Sequence, residues 1–114
     1  MPNFNHTTLS GRLTKVPEIR YTPKGTAVTD LNLAVDSLAG KDREKKTNFF
    51  YVTVFGKQAE SCQQYLVKGQ EVGVTGRLEM NQWEDQEGQK RSRLQIIAQQ
   101  VNFGVKPRGQ LAAA

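Results

Sequence analysis

The sequence predicts a single all-β domain that contains one helix. Its 114 residues are enough for one hydrophobic core and too few for two ordinary domains. Apolar and polar residues alternate through most of the chain, which is the pattern of strands with one buried face. Only residues 57–68 change to helical spacing, and a glycine follows them directly.

The first strand is predicted around residues 9–14, where Leu9, Gly11 and Leu13 share one face. Pro17 ends this stretch, because proline cannot donate a hydrogen bond to a strand ladder. A short extended piece at 18–21 and a Pro-Gly turn follow. The second strand is predicted over 27–36, and the polar residues 37–47 are predicted to form a long hairpin tip.

The segment NFFYVTVFG, at 48–56, has the strongest strand character in the chain, since almost all of it is aromatic or β-branched. Phe50, Val52 and Val54 are expected on its core face. The opposite face is aromatic where a polar one would be ordinary. It carries Phe49, Tyr51, Thr53 and Phe55.

The helix at 57–68 is predicted from the spacing of four residues on its apolar side: Ala59, Cys62, Tyr65 and Leu66. Gly69 stands where a glycine commonly ends a helix. Cys62 is interpreted as a small core residue.

Strands return at 72–80 and 93–103, on either side of a polar hairpin, WEDQEGQKR. Gly76 is predicted to be a bulge or a point of close backbone approach, and a change of parity predicts a bulge or bend near Gln99. The order is therefore β-β-β-α-β-β. Five strands with one helix between the third and the fourth form the plan of the OB fold, a small Greek-key barrel.

Composition restricts the classes of function. The formal net charge of +5 favours a polyanionic partner. The single cysteine excludes an internal disulfide and a cysteine-rich zinc site, and the single histidine, His6, has no evident partner. Known catalytic motifs are missing, so neither an enzyme nor a cofactor or metal is expected. No apolar run approaches the roughly 20 residues of a membrane span, and the first residues do not resemble a signal peptide.

Basic residues gather at the two predicted hairpin tips, while aromatic residues line a strand face. OB folds bind oligonucleotides or oligosaccharides. Cations that follow phosphates, combined with rings that stack on bases, suit a single-stranded nucleic acid, whereas a duplex hides its base faces. The basic candidates are Lys41, Arg43, Lys45, Lys46, Lys90, Arg91 and Arg93, and the aromatic candidates are Phe49, Tyr51, Phe55 and Trp83.

A structural interpretation remains open for both sets. The rings at 49, 51 and 55 could pack under the helix or against a neighbouring subunit. The hairpin charges could serve to blunt an edge strand.

Three stretches resemble the bacterial single-stranded DNA-binding protein family. They are LSGRLTKVPEIRYTPKGTAVTDLNLAV, NFFYVTVFGKQAE and YLVKGQEVGVTGRLEMNQWEDQEGQKR, in the order and with the spacing of that family. The combination of FGKQAE, YLVKG, G-R-L and a W-x-D-x-x-G hairpin is specific as a set. The resemblance covers nearly all of residues 5–103. It implies an OB-fold homotetramer that wraps single-stranded DNA in replication, recombination and repair, in a cytoplasmic, nucleoid-associated setting.

The resemblance also implies roles for individual residues. Phe49 and Phe55 match stacking positions, and Trp83 matches the tryptophan of the last hairpin. The matched basic positions are Arg20, Lys57, Lys68 and Arg91. The chain departs from the family pattern at 37–39, where a stacking tryptophan is common. It departs again before the hairpin tryptophan, where Glu79, Asn81 and Gln82 replace residues that are often basic.

Residues 1–104 are therefore predicted to form a single-stranded DNA-binding domain, and 105–114 a flexible C-terminal end. The resemblance implies that replication and repair proteins dock on an acidic tail, but the segment GVKPRGQLAAA contains no acidic residue. The expected function is non-catalytic, largely sequence-independent binding and protection of single-stranded DNA. Two alternatives stay open: a primosome-type OB-fold replication accessory protein, and an OB-fold RNA-binding module.

Overall fold

The computed structural model describes residues 3–39 and 44–106, and its strands close into a barrel. The sheet order is β1-β5-β6-β4-β3-β2, and an additional pairing of β1 with β3 closes the first five of these strands on themselves. The predicted OB-fold plan is confirmed. The elements are β1 (Thr7–Leu13), β2 (Ile19–Tyr21), β3 (Ala27–Ala39), β4 (Glu44–Phe55), α1 (Lys57–Tyr65), β5 (Glu71–Glu84) and β6 (Lys90–Phe103).

The short strand β2 lies outside the barrel. Among the residues that the structure describes, it pairs only with β3, in the antiparallel register that places Ile19 opposite Thr29 and Tyr21 opposite Ala27. The extended piece predicted at 18–21 is therefore a sixth, very short strand. It carries Arg20 to the side of β3.

The core fills the barrel with the residues that strand alternation predicted to face inward. Burial of these apolar side chains is the main stabilising contribution to the fold. The helix α1 covers part of this core through Ala59 and Cys62, which are both fully buried. The fully buried apolar strand residues are Leu31, Leu33, Val52, Val54, Val72, Val74 and Ile96.

The helix is shorter than the sequence predicted. It ends at Tyr65, because Leu66 adopts an extended backbone while its N–H still bonds to the carbonyl of Cys62. Leu66 is buried, whereas Tyr65 is exposed, so the prediction that Tyr65 lies on the apolar side is wrong. Gly69 does not end the helix. It forms the following turn at a φ of 87°, where its N–H donates to Leu13 O at 2.8 Å.

Both long hairpins extend further as ladders than the sequence predicted. Strands β3 and β4 stay paired as far as Ala39 opposite Glu44, so the predicted tip at 37–47 is mostly strand. Strands β5 and β6 stay paired as far as Glu84 opposite Lys90. The backbone hydrogen bonds between the paired strands therefore continue past the hydrophobic core. We call these outer parts of the two hairpins the β3–β4 arm and the β5–β6 arm. The residues nearest the tips are mostly polar, as at 44–47, 81–84 and 90–92, which is why the sequence predicted loops there.

The predicted irregularity in the last two strands is confirmed. Thr75 pairs with Gln100 and Gly76 pairs with Ala98, so Gln99 is an extra residue in β6. Such a bulge bends its strand and restores the inward direction of side chains after a change of parity. This is why Ala98 and Val101, three residues apart, both pack against the core.

The end of the domain is held to β5. Gly104 N–H donates to Glu71 O at 2.7 Å, and Glu71 N–H donates to Val105 O at 3.2 Å. Residues 107–114 lie outside the described part of the chain, so the assignment of 105–114 as a separate end stays a prediction. Among the described residues, no helix is long and apolar enough to cross a membrane.

Candidate nucleic-acid interface

A single outward-facing surface collects most of the candidate residues. Phe49, Tyr51 and Phe55 lie on the side of β4 opposite the buried Val52 and Val54. The odd-numbered residues at the hairpin end of β5 and β6 share one outward side. The guanidinium of Arg93 lies over the rings of both Tyr51 and Trp83, which joins β4 to the β5–β6 arm. We call this surface the outer face. Its defining residues are Phe49, Tyr51, Phe55, Trp83, Arg91 and Arg93.

The aromatic side chains of the outer face are not part of this chain's core. Phe49 is 64% exposed, Phe55 44% and Trp83 43%, while Tyr51 is half-buried. Large exposed rings on one face are unusual in a protein without a partner, since water-facing strand positions are ordinarily polar. The exposure of Phe49 and Phe55 contradicts the interpretation in which they pack under the helix. Packing of these rings against a neighbouring subunit stays an alternative.

The carboxylate of Asp36 in β3 holds two cations, Arg12 of β1 and Lys45 of β4. Asp36 accepts a hydrogen bond from Arg12 at 2.7 Å and another from Thr47 at 2.8 Å, and Lys45 Nζ lies 3.3 Å from the same carboxylate. The bonds from Arg12 and Thr47 hold the pKa of Asp36 well below its usual value. Lys45 is thus paired with an anion of its own chain.

Arg20 and Arg91 are paired in the same way. The guanidinium of Arg20 bonds to Asp30, which also accepts a hydrogen bond from Thr53 at 3.0 Å. Arg91 Nε donates to Asp85 at 2.9 Å.

Asp85 also organises the turn of the β5–β6 hairpin. Its carboxylate accepts the backbone N–H groups of Glu87 and Gln89, both at 2.9 Å. The hydrogen bond from Arg91, with those from Gln89 and Glu87, lowers the pKa of Asp85. An open groove of about 560 Å³ lies beside this turn. It is lined by Gln82, Trp83, Glu84, Lys90, Arg91 and Ser92.

The remaining basic candidates are more dispersed. Lys46 pairs with Ser37 and Lys90 with Glu84, at the strand positions that alternate with those of the outer face. Lys57 begins α1 two residues after Phe55. Lys68 is exposed in the loop after α1. Lys41 and Arg43 lie outside the described residues.

Two further arginines face outward and were not selected from the sequence. Arg12 of β1 bonds to Asp36, and Arg77 of β5 pairs with Glu79 at 3.0 Å. Strand alternation could have found Arg12, because it lies between the inward-facing Gly11 and Leu13. Its connection to Asp36, 24 residues away, depends on the pairing of β1 with β3.

A sequence model of the single-strand binding protein family matches residues 4–104, which include every strand and the helix. The chain belongs to this family. The resemblance found in the sequence is confirmed, and the outer face lies entirely within the matched region.

Several relatives support the same assignment. A single-stranded DNA-binding protein of Clostridium tetani is 43% identical over 101 residues, which are 88% of this chain and 70% of that protein. One of Thermotoga maritima is 42% identical over 106 residues, or 90% of this chain and 75% of that protein. One of Treponema pallidum is 41% identical over 105 residues, or 90% of this chain and 59% of that protein.

Proposed function

We propose that this protein binds single-stranded DNA along the outer face of the barrel and protects it during replication, recombination and repair. Membership of the single-strand binding protein family supports this function. The observation that carries it is the exposure of Phe49, Phe55 and Trp83 on one surface that also holds cations. Rings stack on bases of any kind and cations neutralise phosphates, so binding depends little on sequence.

The mechanism that we propose is binding without catalysis. Bases leave solution to stack on the aromatic side chains, while phosphates approach the neighbouring basic groups. Counterions are released from the DNA as these contacts form, which makes the affinity depend on salt. The exposed positions of Lys46, Lys57, Lys68 and Lys90 suit contacts with DNA that continues beyond the outer face. Lys41 and Arg43 remain candidates for the same role.

A fluorescence titration tests the proposal, because Trp83 is the only tryptophan. Single-stranded DNA should quench its emission, and a duplex of equal length should bind far more weakly. Log affinity for the single strand should fall linearly with log salt, by about 0.7 for each phosphate contact. Equal affinity for the single strand and the duplex would exclude stacking and contradict the proposal.

The matching variant is Trp83→Ala. It should lose about 1–3 kcal/mol of binding free energy, the range known for single-strand-binding proteins as a class, without loss of fold. Tyr65→Ala is the control, since Tyr65 is also an exposed aromatic residue but lies on α1. Unchanged affinity of Trp83→Ala, together with unquenched wild-type emission, would remove Trp83 from the interface.

The same titration separates the two alternatives. An RNA-binding module should prefer an RNA oligomer to DNA of equal length and sequence. A primosome-type accessory protein should be a dimer. The family assignment favours neither of them.

We also propose that the protein assembles as a homotetramer. Along β1, only Arg12 and Leu13 pair with β3, so among the described residues the edge at 7–11 has no second partner strand. An open edge of this kind is suited to pairing with a second copy. Leu78, Met80 and Leu94 are exposed on the side of the β5–β6 arm opposite Trp83, where the face of another dimer could cover them.

Light scattering tests the assembly. The mass should be near four times 12.8 kDa. Met80→Glu should reduce it, because a carboxylate would be buried in the contact. Asn81→Glu adds the same charge on the opposite side of the strand and should leave the mass unchanged. A stable wild-type monomer at micromolar concentration would contradict the proposal.

A further inference from the structure

Arg93 occupies the centre of the outer face. It lies in β6, opposite Asn81 of β5, at the same strand parity as the adjacent pair Trp83 and Arg91. The central carbon of its guanidinium is 4.0 Å from the centroid of the Tyr51 ring and 5.8 Å from that of Trp83. The first distance is that of a group in direct contact with the face of the ring.

Arg93 differs from three other basic candidates in what surrounds its positive charge. Lys45, Arg20 and Arg91 are each paired with an aspartate. Within the described part of the chain, Arg93 forms no salt bridge, and its cross-strand partner Asn81 is neutral. Its positive charge therefore meets aromatic rings and solvent instead of a carboxylate.

A guanidinium is planar, weakly hydrated on its faces and able to donate hydrogen bonds from its edge. One of its faces can lie on a ring while the other receives a second flat group. Because the guanidinium covers Tyr51, a base cannot stack on that same face of the ring. The covered, half-buried ring of Tyr51 thus differs from the more exposed rings of Phe49 and Trp83.

We propose that Arg93 supplies the stacking surface at the centre of the interface, and that Tyr51 is a positioning residue that holds the guanidinium of Arg93 flat. This inference rests on the proposed binding of single-stranded DNA and names the residue that meets the nucleotide between Trp83 and Phe49. Lysine cannot replace Arg93 here, because an ammonium group has the charge without the plane.

A double-mutant cycle tests the inference. The proteins are the wild type, Arg93→Ala, Tyr51→Leu and the double variant, titrated with a thymidine oligomer at several salt concentrations. Each single change should weaken binding by about 3-fold or more. Tyr51→Leu should cost less than about 2-fold further in the Arg93→Ala background, since its effect passes through Arg93. Tyr65→Leu is the control for loss of an exposed tyrosine, and thermal unfolding checks the fold of each variant.

Arg93→Lys provides the second measurement. It should keep the salt dependence of the wild type, because the charge remains, and still lose affinity, because the planar surface is gone. Wild-type affinity of Arg93→Lys would overturn the stacking role.

Additive effects of Tyr51→Leu and Arg93→Ala would overturn the positioning role, since Tyr51 would then contact the nucleotide itself. In both of these cases the wild type still binds single-stranded DNA, and the proposed function stands. A wild type that does not prefer the single strand would overturn the function and this inference together.

Discussion

The side chain of Gln58 in α1 makes two hydrogen bonds to the backbone of β6, at the bulge that contains Gln99. Gln58 Nε2 donates to Gln99 O at 2.9 Å, and Gln58 Oε1 accepts from Val101 N–H at 3.1 Å. Gln99 is the extra residue of the bulge and Val101 pairs with Val74 of β5, so the two bonds tie α1 to β6 at the point where its ladder with β5 is irregular. A helix side chain thereby fixes the bend that directs the end of β6.

Gln58→Ala should lower the free energy of unfolding by about 0.5–1.5 kcal/mol for each of the two hydrogen bonds. The groups lie at the surface, so water offsets part of that loss. Gln63→Ala is the control, because Gln63 is exposed on the same helix and makes no side-chain hydrogen bond to the described residues. Urea denaturation measures the difference, and equal stability of the two variants would show that the bulge needs no support from α1.

Gly76→Ala should destabilise the barrel strongly. A Cβ atom at Gly76 would lie 2.1 Å from the carbonyl oxygen of Ile97, so the backbone of β5 or β6 has to move. Overpacking of this kind costs about 1–3 kcal/mol or more. Gly73→Ala in the same strand is the matched control, since its Cβ would meet its nearest neighbour, Asn102, at an ordinary 3.8 Å. A smaller loss at 76 than at 73, measured by thermal unfolding, would contradict this account.

Phe49→Ala and Phe50→Ala should separate binding from stability. Phe49 is exposed on the outer face, so its truncation should cost about 1–3 kcal/mol of binding free energy and little stability. Phe50 is half-buried against the core, so its truncation should cost up to about 3 kcal/mol of stability. DNA titration and urea denaturation of both variants measure this. Similar losses of stability in both would place Phe49 in the core.

Asp36→Asn should strengthen the binding of single-stranded DNA, because Lys45 and Arg12 are then free to meet phosphates. The salt dependence should become steeper as contacts are added. Glu60→Gln is the control, because it also removes one negative charge but lies on α1. It should change the DNA affinity and its salt dependence less than Asp36→Asn does. An unchanged affinity of Asp36→Asn would show that phosphates reach Lys45 without displacing the carboxylate.

The same variant should show how stability depends on pH. Hydrogen bonds from Arg12 and Thr47 lower the pKa of Asp36 in the folded protein. The ionised carboxylate therefore stabilises the fold at pH values above its unfolded pKa, near 3.8, and this contribution disappears as the pH falls through the lower folded pKa. The stability difference between the wild type and Asp36→Asn should thus be present at pH 7 and shrink in acid. A difference independent of pH would contradict the ionic origin.

Cys62 should react very slowly with thiol reagents in the native protein. It is fully buried, and burial raises the pKa of its thiol to about 11, so little thiolate exists at pH 8. A chromogenic disulfide such as Ellman's reagent should label it quickly in guanidinium chloride and only through unfolding in buffer. Fast labelling of the folded protein would contradict the packing of α1 on the barrel.

The inward and outward directions of β1, β3 and β4 followed from the sequence by itself. Alternation of apolar and polar residues predicts which side chains of a strand face the core. Leu31, Leu33 and Val52 are buried, in agreement with this prediction. The bulge at Gln99 was predictable for the same reason, because an extra residue is the simplest way to change parity within a strand. The sequence alone also identified Phe49 and Trp83 as aromatic candidates for the interface.

The lengths of the hairpin arms and the end of α1 required the tertiary structure. Ladder pairing needs no buried apolar side chains, so the mostly polar segment 37–47 resembles a loop although much of it is strand. Tyr65 has an apolar ring at helical spacing, but it stays exposed in the folded chain. The spacing of apolar residues predicts which face of an element a side chain occupies. It does not predict whether a neighbouring element extends far enough to cover that side chain.

Only the tertiary structure decided how the charges of the outer face are arranged. Lys45 and Arg91 were candidates by composition, but their pairing with Asp36 and Asp85 depends on the geometry of the hairpins. Arg93 reaches Tyr51 because β4 and β6 run parallel and adjacent in the closed barrel, although the two residues are far apart along the chain. The alternation within one strand specifies which of its side chains point inward or outward. Contacts between strands that are distant in sequence form only when the barrel closes.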